Sequence, residues 1–404
     1  VKSGRIVTTG DISHGILAQS IGGGGAGATS NSSSSSKPDV KMSLGMAGGN
    51  GGSAEDVLVY ASDISTSGFA SSAVVAQSLG GGGGVGTSSG FAVSSVDLRL
   101  GSTPNQNSGG GTGAEVKVHV LDGATLKTAG DSAHGVIAQS VGGGGGLGIT
   151  ALGTATTAND DTVSGVISVT LGTDTSTGNS ATTQFGNSVT IDHNGTITTA
   201  GTRALGIVAQ SIGGSGGFLS ASTQNIASVN WVESQTPAPG NDVSATLTGG
   251  TIVTSGDGAV GILAQSISGG GGGVGDFAAP LKLLSGNSSS SYGGGSAQSS
   301  GYVSVSLDAA SSIKTTGANA HGILAQSLAG SGGVFMNNGS LYAGSRGLNG
   351  GAQNSGHVTV SVDGSVSSAQ GWGVFAQTED GTVNVTVGSG GSITGSGASG
   401  VSAG

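Results

Sequence analysis

The sequence predicts an all-β chain folded as a parallel β-helix, an elongated β-solenoid made of glycine-rich repeats. Three observations predict it. A stretch whose fullest form is Ala320-His321-Gly322-Ile323-Leu324-Ala325-Gln326-Ser327-Leu328 is written seven times, with its glutamine at Gln19, Gln77, Gln139, Gln210, Gln265, Gln326 and Gln377. The gaps between these glutamines run from 51 to 71 residues, and recurrence on this scale marks a repeat architecture. Several segments alternate apolar and polar residues with a period of two, as half-buried strands do. Finally, 86 of 404 residues are glycine and only 8% are charged, yet 34% are hydrophobic. A disordered chain combines low hydrophobicity with high charge. This balance suits a core of many thin layers of small and β-branched residues.

Each unit reads as three strands. The first alternates strictly, as in Val116-Lys117-Val118-His119-Val120, Val303-Ser304-Val305-Ser306-Leu307, Val358-Thr359-Val360-Ser361-Val362 and Val383-Asn384-Val385-Thr386-Val387. A corner follows at Asp122-Gly123, Asn194-Gly195 or Asp363-Gly364, where glycine admits the bend. The second strand carries one apolar anchor: Ile6, Ile64, Leu126, Ile197, Ile252, Ile313 or Val366. The anchor precedes its glutamine by 13 residues in six units and by 11 in the seventh. The third strand is the Gly-Ile-Leu-Ala-Gln-Ser stretch itself. Nothing has a helical period of useful length.

The C-terminus sets the size of one rung. Val366 aligns with Ile393 and Gly373-Val374 with Gly400-Val401, both offset by 27 residues. The mean gap between glutamines is about 60, or two such rungs. Apolar strands inside the long linkers (Val40 to Met46, Phe91 to Leu100, Val163 to Leu171, Ile226 to Val232, Leu281 to Leu284, Val334 to Met336) favour two rungs per unit over one rung with a long surface loop. On that reading ~15 rungs at ~4.8 Å make a rod on the order of 70 Å long. Residues 1–404 form a single solenoid with units centred near 19, 77, 139, 210, 265, 326 and 377. The chain begins and ends in mid-pattern, so a longer parent chain is expected.

The runs Gly15 to Gly25 (Gly-Ile-Leu-Ala-Gln-Ser-Ile-Gly-Gly-Gly-Gly) and His134 to Gly146 resemble repeats of the large autotransporter-type surface proteins of Gram-negative bacteria. The resemblance spans the whole chain and marks the passenger stalk rather than an activity. It implies a right-handed parallel β-helix, exported and displayed on or released from the cell surface, with adhesive, aggregative or biofilm roles. It also implies an outer-membrane barrel elsewhere in the full-length chain.

Composition excludes several classes. The net charge is −10 with scattered basic residues, whereas nucleic-acid binding needs a basic face. No cysteine is present, which excludes disulfides, thiolate metal sites and cysteine catalysis. No apolar run is long enough for a membrane-spanning helix.

Each repeated polar feature has a structural reading that outweighs the functional one. The glutamine column is expected to satisfy backbone groups at a rung corner. With two rungs per unit the glutamines would stand ~9.6 Å apart, beyond bonding distance. A continuous amide ladder would need one rung per unit. His14, His134 and His321 share a register that elsewhere holds Ser72, Leu205, Val260 and Trp372. A metal column would not tolerate Leu, Val and Trp, so these histidines read as semi-exposed spacers. Glycine runs such as Gly80 to Gly84 and Gly142 to Gly146 lack the Lys-Ser/Thr of a phosphate loop, and read as sites of close backbone approach. Gly272-Gly273-Val274-Gly275-Asp276 is a near miss to a calcium nonapeptide. The adjacent acids Asp160-Asp161 and Glu379-Asp380 have no basic or histidine partner in register. Asp122, Asp308 and Asp363 read as turn formers. The pairs Thr8-Thr9, Thr198-Thr199 and Thr315-Thr316 suggest a flat threonine array, interrupted at Val253-Thr254 and Ser367-Ser368.

The sequence therefore predicts no enzyme and no catalytic, cofactor-binding or metal-binding set. It predicts a structural and adhesive rod at the cell surface or outside the cell. The expected partners are a second copy or a host or neighbouring cell surface. The alternatives are a carbohydrate-active lyase or hydrolase on the same fold, recognised by converging carboxylates, and a subunit that assembles end to end into a filament.

Overall fold

The structure, a computed structural model, describes residues 4–23, 27–30, 39–44, 52–90, 95–100, 111–152, 155–156, 162–163, 166–172, 184–221, 226–232, 238–283, 298–330, 332–337, 339–345, 353–396 and 401–403. Among them there is no helix. Three stacks of parallel strands build a three-sided solenoid. The alternating strands, from Val57–Ala61 to Val383–Val387, form a seven-stranded sheet. The strands after each corner, from Ile6–Thr8 to Ser392–Gly395, form an eight-stranded corner sheet. The repeat motif forms a third sheet of eight strands, from Ile16–Ile21 to Val401–Ala403, termed here the glutamine sheet.

The period-two pattern explains how the rung closes. In Val116–Val120, Val189–His193, Val243–Leu247, Val303–Leu307 and Val358–Val362 the first, third and fifth residues are buried and the second and fourth half-buried. Their inward valines meet Leu126, Ile197, Ile252 and Ile313 of the corner sheet and Val136, Ala138, Ile207 and Ala209 of the glutamine sheet in one continuous core. Each such valine or isoleucine contributes about 1.5–3 kcal/mol by leaving water. The small alanine of Ala-Gln-Ser lets the three walls approach.

Strand register corrects the expected rung count. Gln139 pairs directly with Gln77 on one side and Gln210 on the other, and every unit adds one strand to each of the three sheets. The unit is one rung, not two. Eight stacked strands at ~4.8 Å span about 34 Å, half the expected length. The 27-residue offset is nonetheless the true size of a rung, since Val366 pairs with Ile393 and Val374 with Val401. The last full rung passes from Gln377 to its next alternating strand, Val383–Val387, by a short turn.

The additional residues of the earlier units build an outer layer. After the glutamine strand the chain turns through its glycine run. It then lays a strand over the outside of the glutamine sheet: Gly83–Gly90, Gly145–Leu152, Gly216–Ala221 and Gly271–Gly275. These belong to a further eight-stranded stack, the glycine sheet. Of the linker strands expected from sequence, those at Asp39–Leu44, Ser95–Leu100, Val166–Gly172 and Ile226–Val232 form a four-stranded outermost sheet, while Leu281–Leu283 and Gly332–Asn337, which holds Val334 to Met336, belong to the glycine sheet; none adds a rung. The physical reason is visible in the motif. Ile-Leu-Ala-Gln-Ser-Ile does not alternate, and all six residues of Val136–Val141 and Ile207–Ile212 are buried. A strand apolar on both faces needs cover on both. Val75, Ile137, Val208, Leu263 and Leu324 supply the second face and pack with Leu147, Ile149, Phe218 and Leu219 of the glycine sheet in a separate core.

Candidate functional site: the glutamine ladder and the layer seam

One rung per unit brings the seven glutamines into bonding distance. Gln19 Nε2 donates to Gln77 Oε1, Gln77 to Gln139, Gln139 to Gln210, Gln210 to Gln265 and Gln265 to Gln326, each at 2.7 Å. Gln326 donates to Gln377 at 2.8 Å. All six bonds point the same way along the axis. The five central glutamines are fully buried. Each amide therefore satisfies its neighbours where water cannot, which fits the expected structural role; the main partner is another side chain, and Gln139 and Gln210 also donate to the backbone carbonyls of Gly146 and Gly217 at 3.4 and 3.5 Å.

The motif's serine has a separate task. Its hydroxyl faces the chain as it returns to the alternating sheet and accepts a backbone N–H there. Ser20 accepts from Glu55, Ser78 and Ser140 from Ala114 and Asn187 at 2.8 Å, Ser211 from Asn241 at 2.7 Å and Ser266 from Gly301 at 2.8 Å. Ala-Gln-Ser thus divides into a core residue, a ladder residue and a clasp that anchors the far end of each excursion.

Threonines and aspartates are spent similarly. Thr8, Thr128, Thr199 and Thr315 donate to the carbonyl five residues on, at Ser13, Ala133, Ala204 and Ala320. Thr128, Thr199 and Thr315 are buried, so these columns brace the corner and do not form the exposed flat array considered above. Asp11, Asp131 and Asp257 each accept an N–H of the next rung at 2.8 Å, from Phe69, Thr202 and Ala318. Acids at this corner stand on alternate rungs, which keeps like charges two strand spacings apart. Asp308 accepts from Ser311 Oγ at 2.6 Å and from Gly249 N at 3.0 Å, and these bonds hold its carboxyl below the usual range. It is a turn former, as its register implies.

Three features define the corner between corner sheet and glutamine sheet, and the first corrects an expectation. First, the histidines are not spacers. His134 and His321 are buried and His14 half-buried. Each Nδ1 accepts the backbone N–H of the same position one rung on: Ser72 and Leu205 at 3.1 Å, and Trp372 at 3.0 Å. Ser72 does the same for His134 N through its hydroxyl, at 3.1 Å. With Nδ1 so engaged, the proton sits on Nε2, and Nε2 of all three is buried without a partner. Burial pushes His14 and His321 down to about 4 and His134 to about 3, the last with a smaller contribution from His14.

Second, non-glycine residues occupy a left-handed position there: Ile12, Ala70, Ser132, Arg203 and Asn319, with φ between 53° and 58°. Each costs about 1–2 kcal/mol. Their side chains reach the outer layer and offset that cost. Ser132 Oγ lies 3.0 Å from Ser220 Oγ, Arg203 Nη1 3.6 Å from Asp276 Oδ1, and Asn319 Nδ2 donates to Ala278 O. Ile12 and Ala70 pack into the second core. Sequence reasoning missed this cross-link, because nothing local marks a residue as left-handed.

Third, Asp276 of the calcium-like run is committed to Arg203 and to its own turn at Ala278 N, 3.0 Å away. Glu379 caps Ala329 N and Gly330 N at 2.8 and 3.2 Å. Asp160 and Asp161 lie outside the described residues. No three Asp, Glu or His side chains converge among the described residues. His193, unremarked in the sequence, replaces a core valine inside the solenoid. Its Nε2 lies 3.1 Å from Thr251 O, and burial lowers its pKa.

The glycine runs make the close approach expected of them. Gly83, Gly145, Gly216 and Gly271 stack in register with φ from 130° to 153°, and a Cβ at Gly145 would collide with the carbonyl of Gly216.

The chain matches no family model, no curated protein and no solved structure.

Proposed function

We propose that this chain is a structural and adhesive segment of an exported surface protein. The stacked solenoid holds the outer layer in place, and the irregular outer surface meets a host or neighbouring cell or a second copy. Anchoring by an outer-membrane barrel elsewhere in a longer chain belongs to the same proposal and rests on the resemblance of Gly15 to Gly25 and His134 to Gly146 to autotransporter passengers. The observation that carries the reading is where the repeated polar groups go. Glutamine bonds to the next rung, serine to the returning chain, threonine to the corner of its own rung, and aspartate, on alternate rungs, to the rung that follows. Repetition is thus invested in rigidity, and variation is left to the excursions.

The test is adhesion by the purified chain. Latex beads coated with it should bind bacterial or host cells, or clump with one another, while uncoated beads stay dispersed. Beads that remain inert in all three settings would overturn the adhesive reading. Depolymerisation of a polysaccharide by the soluble chain would replace it with the enzyme reading.

A further inference from the structure

The molecule has two cores, and they differ in chemistry. The inner core holds aliphatic side chains with one titratable group, His193, whose Nε2 has a carbonyl partner. The seam between glutamine sheet and glycine sheet is different. His134 meets the edge of Phe218 at 5.2 Å, and His321 meets Trp372 at 6.1 Å. Phe218 belongs to the second core and Trp372 packs against it. Leu205, Val260 and Trp372, which occupy the histidine register in other rungs, line the same core. The charged or titratable groups facing this seam, among the described residues, are His14, His134, His321, Arg203 and Asp276, with Tyr342 at its edge. Asp131 lies on the same corner but is turned to Thr202 N.

We propose that the seam is an acid-operated release joint: protonation of His14, His134 and His321 frees the outer layer from the solenoid while the three-sided stack stays folded. Three features combine. A second proton on these imidazoles must go to Nδ1, so it breaks the bond to the next rung's N–H. It also places a cation among Phe218, Leu205 and Trp372, with no acceptor for either N–H. A buried unpaired charge is among the costliest changes a core can suffer. The outer layer is joined to its rung at one end by a glycine-rich run, such as Gly142 to Gly146 or Gly213 to Gly217 with Ser215 inside it, where few side chains restrict the backbone. Its remaining polar ties at the corner are the Ser132–Ser220, Arg203–Asp276 and Asn319–Ala278 links.

The direction follows from burial. In the closed seam the imidazoles titrate below the ordinary 6.5, and in an opened seam they return to it. Closure is therefore complete above about pH 6.5 and weakens as pH falls from there through about 4. Within that window each histidine raises the open fraction by up to about tenfold per pH unit.

Hydrogen exchange followed by mass spectrometry from pH 7 to 4, corrected for intrinsic rates, tests this. The expected result, below about pH 6.5, is a loss of protection of up to about tenfold per pH unit for each histidine in Gly145–Leu152 and Gly216–Ala221, with Val116–Val120 and Val243–Leu247 still protected. The triple variant H14S/H134S/H321S keeps a hydroxyl acceptor of the kind Ser72 already provides and should hold the seam closed through pH 5. Joint loss of protection in all four strands overturns the proposal, as does an unchanged acid response in the triple variant. Should that variant not fold, NMR titration of the wild-type imidazoles decides. Midpoints that coincide with outer-strand opening support the joint, and imidazoles that titrate without opening refute it.

Discussion

Gln210 shows what one side chain does in this molecule. It accepts from Gln139 and donates to Gln265, and it is fully buried. Gln210→Leu keeps the volume but strands one donor and one acceptor, each worth about 1–3 kcal/mol when buried and unpaired. We expect a loss of roughly 2–5 kcal/mol, read as a drop in the urea midpoint. Gln19→Leu, at the end of the ladder, strands only the Gln77 acceptor and should cost about half as much. Glycines divide in the same way. Gly145 sits at φ 131° with the Gly216 carbonyl where a Cβ would go, whereas Gly123 sits at φ 69° in open space. Gly145→Ala should cost on the order of 3 kcal/mol or more and Gly123→Ala about 1, measured by thermal unfolding. The glutamine column and the glycine runs are legible in the sequence. What they touch is not, because each partner lies 55 to 71 residues away along the central ladder.

At the scale of elements, the rung and the excursion are separable. Seven residues after Ala376 the last full rung has already started its next alternating strand at Val383. Earlier units spend about thirty more on the outer layer. Residues 328–356, the excursion of the sixth unit, flank this bare rung. Replacing them with a copy of the turn Glu379-Asp380-Gly381 should leave the alternating, corner and glutamine sheets folded, and exposes the outer faces of Leu324 and Val274. The check is hydrogen exchange: Val303–Leu307 and residues 323–327 should retain protection, and Gly271–Gly275 should lose part of it. Loss of protection throughout would mean that outer layer and rung fold as one unit. The alternating strands could be read directly from their period. Of the glycine sheet only the more apolar stretches Leu281 to Leu284 and Val334 to Met336 could be read, because Gly-Gly-Leu-Gly-Ile and its relatives carry few side chains and are buried on both faces.

For the whole molecule, stability against pH follows from four histidines, three buried and His14 half-buried, whose closed-state pKa values are lowered: His14, His134, His193 and His321. Neutral imidazoles favour the folded chain, so their contribution is complete above about pH 6.5 and is lost as pH falls toward 4. Three of the four line the seam, so acid should strip the outer layer before it opens the solenoid. Fluorescence offers a second check. Trp372 packs at the seam, and a Trp231→Phe variant leaves its emission as the only tryptophan signal. Tryptophan emission should therefore shift at a higher pH than the far-ultraviolet circular dichroism of the stacked sheets. Coincident transitions would indicate a single cooperative body.

The sequence by itself determined the repeat, the three strands of each rung and the 27-residue rung length. These are local matters: period-two burial and the Asp, Asn or Gly of each corner follow from residues within a few positions of one another. It also contained the excursion strands. Only the tertiary structure decided whether those strands add rungs or a layer. The choice turns on the outer face of Ile-Leu-Ala-Gln-Ser-Ile, which must be buried against something, and a strand apolar on both faces does not name its second partner. The same decision put the glutamines in contact, moved the histidines from surface to seam and halved the length of the stack.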